Sequence, residues 1–134
     1  MSEPTRFEPP ISAVAEPFWD ATRDGRLLLQ WCTACARPVW YPREVCPRCL
    51  GSTLEWRESQ GRGVVYAYTL EHKAQTRALE APYVVALVEL DEGVRLLSNV
   101  VGRRPERVAV GDRVRVTWET LSDGRRLPLF EPVN

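Results

Sequence analysis

Apolar positions change their rhythm twice along this chain. In residues 14–25, "VAEPFWDATRDG", Phe18, Ala21 and Thr22 fall on one side of a helical pattern, with Pro17 in a first turn and Gly25 as the stop. So short a helix is marginal alone and must pack on something, with Phe18 and Trp19 as anchors. It either caps the chain's own next element or docks on a partner. Residues 1 to about 13 read as a mobile arm. "RLLLQWC", "PVWYPR" and "TLEWRES" then read as three short extended segments around a cluster of cysteines. Trp40 and Tyr41 stand near the tip of that ribbon. Neighbours on a strand point to opposite faces, so at least one of the two is expected to be exposed.

After "GRG" at residues 61–63 the pattern becomes strand-like. "VVYAYTL" is followed by a long connection, "EHKAQTRALEAP". "YVVALVEL" and "VRLLSNVV" flank the turn "DEG". "VGDRVRVTWETL" alternates at Val114, Val116 and Trp118, and "RRLPLFEP" follows the turn "SDG". Five strands with such turns suit a small closed or partly open barrel of the OB type, with a sandwich or an SH3-like barrel as alternatives. Open strand edges would seek pairing. The expected class is mainly β: an N-terminal arm and helix over 1–25, a rubredoxin-like zinc ribbon over 26–59, and a five-stranded OB-fold barrel over 60–134.

The chemistry sits in "WCTACARPVWYPREVCPRCLG", which holds Cys32, Cys35, Cys46 and Cys49 as two C-x-x-C pairs. Two residues between cysteines let one tight turn present both sulfurs to a single ion, and two facing turns complete a tetrahedron. Structural zinc is the expected occupant. Iron would use the same four sulfurs. A thioredoxin-like redox site needs a C-x-x-C at a helix N-terminus, and neither pair opens a convincing helix. A closed four-thiolate site has no open coordination position, so the metal supports the fold, and no cysteine remains as a nucleophile.

The bulk numbers narrow the partners. Eighteen basic residues balance eighteen acidic ones across 134 residues, which speaks against nucleic acid gripped by charge. No run approaches the ~18 apolar residues of a membrane span. The N-terminus lacks a basic start followed by an apolar stretch, so a cytoplasmic, reducing compartment is expected. His72 is the sole histidine and sits in the long connection, where a solvated surface role is the ordinary one. Ser98 and Asp91 could join it in a triad only on paper.

The ordered set of helix, four ribbon cysteines, "GRGVVYAYT" from Gly61, "VGDRV" from Val110, and Phe130 with Pro132 resembles a known family. It is the zinc-ribbon plus OB-fold family catalogued as domain of unknown function thirty-five. The likeness covers about Phe18 to Pro132. It implies a small partner subunit of thiolase-like enzymes, steroid side-chain aldolases among them, without catalytic residues of its own. Such a chain completes or shields an acyl-CoA channel and stabilises the assembly, here expected to be a hetero-tetramer. A coenzyme A ligand carries phosphates that arginine binds bidentately, and Arg43, Arg48, Arg62, Lys73 and Arg77 are the candidates. Phe18, Trp19, Trp40 and Tyr41 are the candidate partner surface. The competing reading is a single-stranded nucleic-acid-binding ribbon/OB module, with Tyr66, Tyr68 and Trp118 as a stacking platform.

Overall fold

Pro17 enters helix α1 (Glu16–Thr22) in its first turn, and the chain leaves it through Gly25 at φ +70°. The computed structural model describes residues 8–73 and 81–133; the first seven residues of the expected arm and Arg77 lie outside that range. Phe18, Trp19, Ala21 and Thr22 are all buried. Residues three and four apart share a helix face, and the adjacent pair Phe18 and Trp19 widens that face, so both aromatic anchors go inward.

The ribbon is a three-stranded antiparallel sheet of β1 (Leu28–Cys32), β2 (Arg37–Val39) and β3 (Leu54–Glu58), in the order β2-β1-β3. The barrel follows as β4 (Arg62–Glu71), β5 (Tyr83–Leu90), β6 (Arg95–Val100), β7 (Arg113–Thr120) and β8 (Arg126–Pro132). These five strands close in the order β4-β5-β6-β8-β7. The barrel is therefore closed, and the expectation of open edges narrows to the β6–β8 seam, where a single bridge joins the strands.

The "GRG" motif now has a steric reason. A Cβ on Gly63 would fall inside van der Waals contact of the Glu89 carbonyl, where β4 crosses β5. Gly61 sits at φ +71°, and its Cβ would lie 2.5 Å from a Val116 methyl. Only glycine lets the chain enter the barrel this closely. The same junction is pinned by Glu92 in the β5–β6 turn, which accepts from the Ser59 hydroxyl at 2.8 Å and from the Gln60 N–H at 2.9 Å.

Closure of the barrel is thin at one seam. Leu90 N–H donates to the Val94 carbonyl at the turn, and the β5–β6 register then fixes the alternation. Even-numbered residues of β6 bond to β5, and odd-numbered ones turn their N–H and C=O toward β8. Val101 follows this rule and donates to the Phe130 carbonyl at 2.8 Å. The parallel β6–β8 ladder has a single bridge, Val100 with Phe130. The next donor on β8 would be residue 128, which is Pro128 and has no N–H. The Ser98 hydroxyl instead donates to the Pro128 carbonyl at 2.8 Å.

One apolar core runs through all three parts. It joins Phe18 and Trp19 of α1, Leu27 and Leu29 at the ribbon, and Val65, Val88, Val114 and Phe130 of the barrel. Cys32, Cys46 and Val39 form a separate small cluster, with Cys35 and Leu54 packed against it.

Candidate metal centre and seam pocket

Each cysteine pair is set by a turn whose following residue takes a left-handed conformation. Ala36 has φ +54° after Cys35, and Leu50 has φ +60° after Cys49. Backbone N–H groups converge on the sulfurs: Cys35 N–H on the Cys32 Sγ, Arg48 N–H on the Cys46 Sγ and Gly51 N–H on the Cys49 Sγ, each at 3.4 Å. A Cβ at Gly51 would press on the Cys49 sulfur at 3.3 Å.

The four Sγ atoms lie within 4.8 Å of one another. Cys32 to Cys49 is 3.7 Å and Cys35 to Cys46 is 3.9 Å. A regular tetrahedron with Zn–S of about 2.3 Å has S···S edges of about 3.8 Å. The sulfurs thus stand at the spacing a single zinc requires, and far beyond disulfide length. Cys32 and Cys46 are fully buried.

The electrostatics match a cation-accepting sulfur cluster. The N–H groups of Cys49 and Arg48 pull the Cys46 thiol down to about 6. The Cys35 N–H lowers Cys32 as well. Cys35 is pushed up to about 11, first by its thiol hydrogen bond with Cys49 and then by burial. With a cation bound, all four would ligate as thiolates. Zinc here would hold the two turns together and offer no Lewis-acid position.

The four candidate interface residues do come together. Phe18, Trp19, Trp40 and Tyr41 line one apolar pocket of about 450 Å³, completed by Pro9, Val85 and residues of β6 and β8 at the seam. Their roles within it differ. Phe18 and Trp19 are 2% and 5% exposed, so they hold the helix on its own chain and form the pocket floor. Tyr41 is 40% exposed and forms the rim. Trp40 and Tyr41 were expected on opposite faces. Strand β2 ends at Val39, so strand alternation does not reach them, and both rings line the same pocket. Phe18 meets Trp40 and Tyr41 edge-on, with centroids 5.4 and 6.2 Å apart.

Two supports escaped the sequence reading. Gln30, buried in β1, donates its amide to the Arg43 carbonyl at 2.9 Å and accepts from the Arg43 N–H at 2.6 Å. It pins the loop that carries Trp40 and Tyr41. Arg125 has a side chain only 4% exposed. It binds Asp123 at 2.6 Å, donates to the Pro9 carbonyl at 2.8 Å and lies over the Trp19 ring. The Trp19 indole N–H itself is buried with no partner among the described residues. A glutamine inside an apolar strand and paired arginines after a turn were the only signals available.

Of the candidate phosphate-binding cations, Arg62 opens β4, Lys73 lies past its far end, and Arg77 is outside the described residues. Arg48 donates to the Pro38 carbonyl at 3.0 Å, and Arg43 contributes its backbone to Gln30. Of the three stacking candidates, Tyr66 is covered by Arg95, whose guanidinium lies 3.8 Å from the ring centroid. His72 is exposed just past β4. No helix among the described residues is long and apolar enough to cross a membrane.

Comparison with known proteins gives a consistent picture. Residues 19–55 match the family described as ChsH2, rubredoxin-like zinc ribbon domain, and residues 56–119 match ChsH2, C-terminal OB-fold domain. A solved structure of the Ltp2-ChsH2(DUF35) aldolase contains a chain 37% identical, with a TM-score of 0.85, covering 93% of this chain and 98% of that one. A DUF35 domain-containing scaffold protein of Methanocaldococcus jannaschii is 34% identical over 69% of this chain and 67% of its own length. A probable enoyl-CoA hydratase alpha subunit of Thermomonospora curvata is 40% identical over 86% of this chain. The 3-oxo-4,17-pregnadiene-20-carboxyl-CoA hydratase alpha subunit of Mycobacterium tuberculosis is 33% identical over 79%. The aligned regions span only 36% and 34% of those two hydratase subunits.

Proposed function

This chain belongs to the ChsH2/DUF35 family of zinc-ribbon and OB-fold proteins, and on that premise we propose that it is a non-catalytic subunit of a thiolase-like complex acting on acyl-CoA, with a steroid-type thioester as the favoured substrate class. The observation that carries this reading is the match across 98% of the ChsH2(DUF35) chain of an aldolase assembly. The hydratase relatives, one of them for 3-oxo-4,17-pregnadiene-20-carboxyl-CoA, support the substrate class.

The residues support a division of labour. Thiolase-type acyl transfer needs a nucleophile with a base beside it. All four cysteines of this chain are drawn into one cluster. The Ser98 hydroxyl is spent on the Pro128 carbonyl. Asp91 is held by Arg113. Bond-making therefore falls to the partner, while this chain supplies a rigid ribbon, a closed barrel and an apolar pocket beside the acyl route. Thiolate ligands need a reducing compartment, which agrees with a cytoplasmic site, and a two-to-two assembly fits the dimeric habit of thiolase folds.

Co-expression with a thiolase-like protein encoded nearby tests this. Co-purification, with retro-aldol or thiolytic turnover that falls when this chain is omitted, is the expected result. Separate elution together with unchanged turnover would overturn it.

A further inference from the structure

The seam between β6 and β8 holds backbone groups that neither the barrel nor the pocket uses. The N–H and C=O of Arg95 and Leu97 turn toward β8 by the alternation already established. Their carbonyls meet no N–H on β8 among the described residues, and the single β6–β8 bridge lies beyond both positions. Pro128 has no N–H, its carbonyl is taken by Ser98, and the Arg126 N–H goes to the Thr22 hydroxyl at 3.3 Å. Leu97 is 68% exposed, and Tyr41 stands on the same pocket at 40%. The Arg95 side chain is drawn away from this edge, paired to Glu89 at 2.7 Å and lying over Tyr66.

An apolar, unpaired strand edge is a hazard in a free protein and a template in a complex. Its spacing selects the occupant. Alternate residues on a strand offer a donor and an acceptor about every 6.7 Å, which is the repeat of another strand. The amide arm of a coenzyme thioester sets its two amides one carbon further apart than peptide units and carries no alternating side chains. We propose that the β6 edge at Arg95 and Leu97 receives an extended segment of the thiolase-like partner as an added strand, with an apolar side chain of that segment filling the pocket rimmed by Tyr41 and Leu97. This rests on the partner reading above and assigns the contact to a specific edge.

Amide hydrogen exchange on the full zinc-loaded chain, alone and in complex with the partner, tests it. In the free chain the amides of Arg95 and Leu97 exchange fast while those of Leu96 and Ser98, bonded to β5, are protected. In the complex the first two slow at least a hundredfold. Leu97→Pro removes one edge donor without touching the β5 ladder and weakens partner binding at least tenfold, with zinc content and far-UV spectrum kept. Leu97→Ala, which keeps the N–H, weakens it less. If Leu97→Pro misfolds, the exchange data decide alone. Fast exchange at both positions in an intact complex overturns this inference and leaves the partner reading standing. So does protection already present in the free chain, or protection produced by pantetheine without the partner. Failure to form any complex removes both.

Discussion

Across the barrel seam, the Ser98 hydroxyl donates to the Pro128 carbonyl at 2.8 Å, at the position where proline has no N–H to extend the ladder. A side chain thus marks the limit of closure, and the apolar pocket lies beside it. Ser98→Ala leaves that carbonyl without its donor and should cost about 1 kcal/mol in chemical denaturation. An unchanged midpoint would mean that solvent already serves the Pro128 carbonyl.

The metal centre makes the sharpest stability prediction. Cys46 is fully buried among its sulfur partners. Cys46→Ser, or a strong chelator on the wild type, should release the bound zinc and abolish cooperative unfolding of the ribbon, because metal binding and folding are coupled. Metal analysis alongside thermal melts checks this. A metal-free variant with the wild-type melting temperature would contradict it.

Two glycines separate crowding from conformation. Gly63→Ala drives a methyl into the Glu89 backbone and should cost about 2–3 kcal/mol. Gly111 sits at φ +93° with open space around it. Gly111→Ala should therefore cost only the conformational strain, about 1 kcal/mol. Equal losses from denaturant melts would refute the steric reading of the "GRG" motif.

Asp123 supplies a pH signature. The Arg125 N–H, followed by its guanidinium, holds the Asp123 carboxyl below its ordinary 3.8. A depressed folded value stabilises the protein above 3.8 and loses that contribution as pH falls through the folded value. Asp123→Asn should melt lower than wild type by a constant margin from pH 7 to 5, and the margin should shrink below about pH 3.8. A margin that persists in acid would show that the charge is not what matters.

Much of this architecture was legible in the chain. The cysteine spacing dictated a four-sulfur site because ligand geometry is local, and apolar runs bounded by turn residues located the barrel strands, with alternation at Val114, Val116 and Trp118. Gly25, the "DEG" turn and the "GRG" entry were visible for the same local reason. What escaped depends on contacts distant in sequence. Pro128 reads as an ordinary strand proline until Val101 and Phe130 show which side of β8 faces β6. Arg125 reads as a surface charge until Pro9 and Trp19 close over it. Trp40 and Tyr41 read as strand neighbours because nothing local shows that β2 stops at Val39.

Native mass spectrometry of this chain co-expressed with its thiolase-like partner tests the central claim most directly. The account predicts a hetero-tetramer of two copies of each, carrying one zinc per copy of this chain. A lone 15.3 kDa species without metal, beside a fully active partner, would contradict it.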